Sequence, residues 1–334
     1  MTSLTALVTG GNGFLGSAVV AALRSRGVRV ISADIHEPAD RHERTGADDA
    51  VVHVIADVRD RRRIAEVVGT HRPDVIVHLA SIVNPGRDTT PEQEYAVDVD
   101  GARNVVDAAL TYGVRRLVVA SSGAAYGYHA DNPVPLTEDD PIRGNDEFTY
   151  SRHKRLVEEM LAATRVEHPQ LEQVILRIGT ILGETVRNQI TALLDRERLL
   201  VVAGSDSPFV FVWHTDVAAA FAEAVLGPVT GIFNVAGDGV VTVPEIAAMT
   251  NRRTLTVPAA VLKLALRIGR ALRLTEHGPE RVGFLQYRPV LDNRRLREEL
   301  GVRLQYTSRE AFEAYLRARA EQDAAGAQRR SLDA

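Results

Sequence analysis

Five short apolar runs that lack polar alternation restrict this chain to a sheet covered on both faces. They are Thr5-Ala-Leu-Val-Thr9, Val28-Arg-Val-Ile-Ser-Ala33, Val51-Val-His-Val-Ile55, Asp74-Val-Ile-Val-His-Leu79 and Leu117-Val-Val-Ala120. A strand with one solvated face alternates apolar and polar side chains, whereas these runs need packing partners above and below. Helical segments separate them: 14–26 with Gly27 as a stop, 60–69, and 92–112 with Gly113 at its end. Short strands divided by helices predict an α/β fold with a doubly wound parallel sheet. A helix over 149–167 and a strand at Gln173-Val-Ile-Leu176 continue the pattern.

Past residue 180 the alternation loosens. Apolar pieces stand at Leu199-Leu-Val-Val202, Phe209-Val-Phe-Val212 and Ile232-Phe-Asn-Val235, with helices expected at 215–226, 244–250, 258–273 and 308–320. The expected organisation is therefore a nucleotide-binding domain over 1–178 and a smaller, irregular substrate-binding region over 179–320. Some segments of the latter return to the first domain. The tail, 321–334, is small and polar and is expected to fray. Helix 258–273 combines Val261, Leu262, Ala265, Leu266 and Leu272 with Lys263, Arg267, Arg270 and Arg273. It reads either as a domain helix with a solvated charged face, part of a lid, or as a membrane-surface helix.

The first strand runs into Gly10-Gly-Asn-Gly13-Phe14-Leu15-Gly16 and then a helix. Glycines there permit a tight turn and close backbone approach to a pyrophosphate, which the helix N-terminus attracts. A plain tight turn is the bland alternative, but the strand–turn–helix context is the one a dinucleotide site requires. Asp34 ends the second strand. A carboxylate there accepts from both adenosine ribose hydroxyls and repels a 2′-phosphate, which favours NAD over NADP. Arg41 and Arg44, downstream, could reverse that preference, and Asp34 could instead be a turn residue. Asp57, with Val58 after it, could meet the adenine edge or cap a helix.

Tyr150 and Lys154 stand four apart on the 149–167 helix and so share a face. A phenol is a poor base near neutral pH, but a neighbouring ammonium and a cationic nicotinamide favour its ionised form. It can then exchange a proton with a substrate hydroxyl while hydride moves to or from the nicotinamide. Chance spacing would give about 0.05 such pairs. Of 40 basic residues only Lys154 and Lys263 are lysine, so lysine at this position was kept against a strong arginine bias. Ser121 and Ser122 follow the fifth strand at the ligand-binding edge; catalysis is assigned to Ser122 and a structural role to Ser121.

The chain resembles the extended short-chain dehydrogenase/reductase family, which includes NAD-dependent nucleotide-sugar epimerases and dehydratases. The likeness covers about residues 5 to 320. It rests on the glycine turn, Asp57, His78-Leu-Ala80, Ser121-Ser122 with Tyr126-Gly127, Tyr150 to Lys154, Leu176-Arg177, Val212-Trp-His-Thr-Asp216 and Phe233-Asn234-Val235. The resemblance implies a Rossmann domain, NAD as cofactor and a triad that maps to Ser122, Tyr150 and Lys154. It also implies cofactor contacts at Leu79, Ala80 and Ser81, and a homodimer on the helices near 95–112 and 150–166.

Departures narrow the expectation. Asp98 stands where the family often has asparagine, and Gly123-Ala124 replace the acidic pair with which dehydratases eliminate water, which excludes that chemistry. Nucleotide-sugar members hold a diphosphate with an asparagine and an arginine at the positions of Thr180 and Phe209; with Phe211 and Trp213 nearby, a less charged substrate is expected. Arg187, Arg281 or Arg288 could still grip phosphate, and Phe211 could be core. Substrate contacts are placed at Asn84, Tyr126, Thr180, Phe209 and Trp213.

The expected activity is NAD-dependent interconversion of a secondary alcohol and a ketone. A 4-epimerase of nucleotide sugars is the alternative, and a non-catalytic NAD-binding regulator is a third. With no cysteine there is no thiolate or disulfide chemistry, and no metal is expected. A net charge of −4 gives no reason to expect nucleic acid. No apolar run is long enough to span a membrane and no basic leader is present, so a cytoplasmic enzyme acting on a small molecule is expected.

Overall fold

The structure is a computed structural model and describes residues 4–38, 51–86, 88–186, 188–272, 274, 278–279 and 281–332. The first half alternates as expected: β1 (Thr5–Thr9), α1 (Phe14–Ser25), β2 (Arg29–Asp34), β3 (Val52–Ile55), α2 (Arg61–His71) and β4 (Val75–His78). Then come α3 (Pro91–Tyr95), α4 (Gly101–Tyr112), β5 (Arg116–Ser122), α5 (Thr149–Glu167) and β6 (Glu172–Ile178). The helix expected over 92–112 is interrupted: α3 and α4 are joined by a π turn at Ala96–Asp100. Such turns displace one backbone bond and recur at functional sites; this one carries Asp98.

The second half contains β7 (Thr180–Leu182), α6 (Gln189–Leu194), β8 (Arg198–Val202), β9 (Phe211–Trp213), α7 (His214–Leu226), β10 (Gly231–Val235) and α8 (Val243–Met249). It ends with β11 (Arg253–Val257), α9 (Ala259–Ala271), α10 (Arg281–Gln286), α11 (Arg294–Glu298) and α12 (Ser308–Leu332). The tail does not fray at 321. It continues α12, consistent with its alanine, glutamine and arginine content, all good helix formers.

Seven parallel strands form the main sheet in the order β10-β6-β5-β4-β1-β2-β3. The order reverses beside β1, so β1 and β4 frame a crevice at the carboxyl edge, where such folds bind ligands. Both faces are buried along β1, β4 and β5, as their uniform apolar runs require. The run at 51–55 forms the edge strand β3, where His53 and Ile55 are exposed, so one face of that strand is open to solvent. On β1, Ala6 and Val8 join one core with Val19, Leu23, Val217 and Phe221. Leu7 joins the other with Ile64, Val105 and Leu161. β10 comes from the second half of the chain, yet it pairs with β6 through the register Phe233↔Leu176. The remainder of that half builds two small parallel pairs, β11 with β8 and β7 with β9. Their core includes Leu182, Phe209, Phe211, Trp213 and Phe312.

Candidate active site

The turn between β1 and α1 is shaped by missing side chains. Gly10 has φ +71°, and a Cβ there would lie 2.9 Å from Ala80 N. A Cβ on Gly16 would run into Gly10 O. Gly13 is the extended residue before α1 and supplies no side-chain cap, so the first N–H groups of the helix face the turn without an acceptor among the described residues. This is a cradle that fits a pyrophosphate. Asp34 closes its far side: Oδ2 accepts from Asn12 N at 3.0 Å and Oδ1 from His36 N at 3.1 Å. A carboxylate retains lone pairs after two such bonds, so the turn role and ribose recognition are compatible. Asn12 completes the brace by donating to His36 O and accepting from Ser32 Oγ. Arg41 and Arg44 lie outside the described residues.

Of the other cofactor candidates, Leu79 and Ala80 line the turn directly, with Leu79 N bonded to Thr9 O at 3.1 Å. The Phe14 ring packs 5.4 Å from that of His214, so only its backbone faces the turn. Leu15 is packed against the α1-side core. Val58 is buried against Gly101, and its carbonyl accepts from Asn104 Nδ2 at 2.9 Å. Asp57 does not cap α2; Asp60 does, accepting from Arg63 N. Asp57 instead holds Arg59 through a 2.6 Å ion pair, and that guanidinium keeps its carboxyl below the usual range despite partial burial.

The helix α5 delivers Tyr150 and Lys154 to the end of β5. Lys154 Nζ donates to Ala120 O at 3.0 Å and lies 5.4 Å from the Tyr150 ring centroid. One turn earlier, Ser151 Oγ donates to Ala124 O at 2.6 Å, tying the start of α5 to the turn that follows Ser122. Ser122 is half-buried; its Oγ accepts from Ala124 N at 3.1 Å and makes one long contact, 3.4 Å, to Ile178 O. Its proton is thus weakly engaged and available to a substrate oxygen. Ser121 is different: it is buried and donates to Glu158.

Beneath the triad lie groups that local sequence did not reveal. Asp98 accepts from Ser81 Oγ and Ile82 N, both at 2.9 Å, and from His153 Nδ1 at 3.0 Å. Burial alone would raise its carboxyl, but His153, the Lys154 charge and the two loop donors hold it below the ordinary value. Ser81, expected at the cofactor, therefore also anchors the loop after β4. His153 Nε2 is buried without a partner. His78, bonded to Thr9 Oγ1 at 2.7 Å, is pushed down to about 4 by burial and the Lys154 charge, so it is neutral. Asp98 was visible as a departure, and His153 lies inside the Tyr150–Lys154 segment. Their 55-residue separation hid the pairing.

The expected substrate contacts need correction at three positions. Tyr126 has no exposed surface. Its hydroxyl lies 2.9 Å from Thr137 O and 2.8 Å from Asn234 Oδ1, and accepts from Arg177 at 2.8 Å. Arg177 in turn meets Glu158 at 2.8 Å in a buried ion pair. This network, which includes Ser121, clamps β5, β6 and α5 together. Phe209 is buried, stacked on Phe211 at 5.3 Å. Trp213 is buried against His214 and Tyr306. Both are core, as is Phe211. Thr180 is half-buried at the start of β7, its N–H committed to Val210 O. Asn84 is exposed on the loop after β4.

Among the arginines considered for phosphate, Arg187 and the Arg281 side chain lie outside the described residues. Arg288 is described: its guanidinium sits 3.9 Å above the Phe209 ring and donates to Ser207 O at 2.6 Å. It has no carboxylate partner among the described residues, its Nε is buried and unbonded, and burial pushes it down to about 10. Among the described residues, no group of three or more histidines or acids is placed to hold a metal. No described helix is long and apolar enough to cross a membrane.

The sequence pattern of the NAD dependent epimerase/dehydratase family matches residues 6–236. An uncharacterized protein of Mycobacterium tuberculosis is 28% identical over 94% of this chain and 83% of its own length. A 3-diazoavenalumate denitrifying reductase of a Streptomyces species is 31% identical over 70% of this chain and 75% of its own. A UDP-glucose 4-epimerase of Erwinia amylovora is 31% identical over 54% of each chain. Among solved structures, a short-chain dehydrogenase/reductase superfamily protein of Agrobacterium tumefaciens with bound NAD superposes with a TM-score of 0.72. It is 24% identical, and the match covers 97% of this chain and 99% of that one.

Proposed function

Because this chain belongs to the NAD dependent epimerase/dehydratase family, we propose that it is an NAD-dependent oxidoreductase that interconverts a secondary alcohol and a ketone. The observation that carries this reading is the Tyr150–Lys154 pair, seated on α5 with Nζ fixed by Ala120 O beside the weakly engaged Ser122 hydroxyl. When bound, NAD supplies the acceptor for the hydride at its nicotinamide ring. Ser122 orients the substrate oxygen, Tyr150 Oη takes the hydroxyl proton, and Lys154 stabilises the phenolate that precedes this transfer. In the reverse direction Tyr150 returns the proton to the carbonyl oxygen. Gly10 and Gly16 let the turn close tightly on Ala80 and on Gly10 O, which brings the start of α1 up to the pyrophosphate, and Asp34 receives the adenosine ribose, which favours NAD over NADP.

Two features support a substrate without a diphosphate: Thr180 offers a hydroxyl where an amide would serve better, and Phe209 is core. The second reading, nucleotide-sugar 4-epimerase, is favoured by Arg288, a cation that lacks a carboxylate partner among the described residues. Uridine diphosphate separates the two. If it raises the melting temperature of the wild type but not of Arg288→Gln, the epimerase reading stands. If it protects neither, the alcohol reading stands.

Both share Tyr150. Replacing it by phenylalanine should lower turnover by roughly 10²–10⁴-fold, measured as NADH formation across a secondary-alcohol panel, or as epimer formation. NAD should still raise the melting temperature. Unchanged turnover would remove the proposed acid/base; no wild-type turnover on either panel would favour a non-catalytic regulator. A homodimer on α4 and α5 belongs to the same reading, and sedimentation would test it.

A further inference from the structure

The helix α9 is amphipathic, yet its apolar stripe faces outward. None of its side chains is buried. Val261, Leu264, Ile268 and Leu272 are 51–63% exposed, and Leu274, just beyond the helix, is 78% exposed. At helical spacing Val261, Leu264 and Ile268, with the C-cap residue Leu272, fall within an arc of about 100°. Leu262, Leu266 and Gly269 are half-buried on another side, and α9 contacts α10. Docking to the domain therefore does not use the stripe. Soluble proteins scatter single exposed aliphatic residues, but four along one helix stripe, with Leu274 exposed just beyond, mark a surface that meets something apolar.

Charge identifies the occupant. Residues 259–272 contain Lys263, Arg267 and Arg270 and no acidic residue, within a chain whose net charge is −4. Lys263 and Arg267 follow one flank of the apolar arc, where long side chains can reach headgroups while the aliphatic row enters the acyl region. The face is a convex helix surface of Val, Leu and Ile, which suits a deformable acyl layer. An antiparallel pair of copies would instead set the cationic flanks side by side. We propose that α9 is a peripheral docking helix for an anionic phospholipid surface. It lies in the plane of the interface and spans nothing. The inference rests on α9 alone and is independent of the reaction assigned above.

Vesicle co-sedimentation with the full chain tests it. The wild type should pellet with phosphatidylcholine vesicles containing about 30 mol% phosphatidylglycerol, should remain largely in solution with phosphatidylcholine alone, and should release as salt rises. Leu264→Asp with Ile268→Asp, and separately Lys263→Glu with Arg267→Glu, should each weaken partitioning about tenfold or more. These side chains are exposed, so both variants should keep the wild-type circular-dichroism melt. Wild-type protein that stays in the supernatant with the anionic vesicles would overturn the proposal. So would equal binding by the variants. A lipid-free oligomer that Leu264→Asp with Ile268→Asp dissociates would also overturn it, in favour of a second copy.

Discussion

The two sides of the sheet's carboxyl edge are built on opposite principles. Around β1, side chains are absent where backbone packs on backbone: Gly10 abuts Ala80, and Gly16 leaves no room for a Cβ beside Gly10 O. Around β9, space is filled: Phe209, Phe211 and Phe312 stack ring on ring at 5.3 Å spacing, and Arg288 covers Phe209. Between them lies β5, where adjacent serines divide the labour. Ser121 turns inward to Glu158, and Ser122 faces the edge. One side is specified by backbone approach to a ligand common to the family. The other is specified by aromatic packing that fills a core.

If that contrast is right, the buried clamp between the two sides should dominate stability. Arg177→Met leaves Glu158 charged, buried and without its ion pair, and should cost about 3–5 kcal/mol in urea unfolding. A loss under about 1 kcal/mol would mean that the pair is solvated and clamps nothing. Gly16→Ala should be nearly as severe but differently expressed. The added methyl meets backbone that cannot move aside, so about 1–3 kcal/mol of overpacking should appear as weaker NAD binding more than as early melting. NAD affinity equal to wild type would detach the cradle from the cofactor. Tyr126→Phe sharpens the comparison further. It should cost about 1–2 kcal/mol through the unmatched Arg177, Asn234 and Thr137 groups, with KM unchanged. A raised KM at intact stability would return Tyr126 to the substrate.

The first side was legible in the sequence because its signals are local. Runs without alternation announced a sheet buried on both faces, which holds for the inner strands and not for the edge strand β3, and the 149–167 helix has the expected limits. The glycine turn is bounded by the strand and helix that it needs. The second side was not, because an aromatic residue has the same local pattern whether it lines a site or fills a core. Tyr126 is taken out of the site by Asn234, 108 residues away, and by Arg177. Phe209 is covered by Arg288 and Phe211. The same blindness affected Asp57, where a cap was considered although Asp60, three residues on, performs it. Helix 258–273 shows the reverse case. Its period was read correctly, but which stripe meets the protein depends on a neighbour, α10, that no local pattern reveals.

Asp98 is the finest test, because asparagine there is nearly isosteric. In the Asp98→Asn variant the amide oxygen would still accept from Ser81 and Ile82. The amide nitrogen would meet His153 Nδ1 if the ring changed tautomer, leaving His153 Nε2 as unpartnered as it is now. What disappears is the negative charge facing Lys154. The Asp98 carboxyl is held below its ordinary value in the folded protein, so it contributes stability above its unfolded value, near 4. That contribution is lost as pH falls through the folded value. Wild type should therefore exceed Asp98→Asn by about 1 kcal/mol near pH 7. The gap should hold to about pH 5 and close below about pH 4, followed by thermal melts across that range. Turnover should follow the charge as well: with Lys154 no longer facing a carboxylate, the pH profile of kcat should shift while KM stays near wild type. A stability gap that persists unchanged to about pH 3 would show that shape and hydrogen bonding hold the π turn in place and that the charge of Asp98 does not act on Lys154.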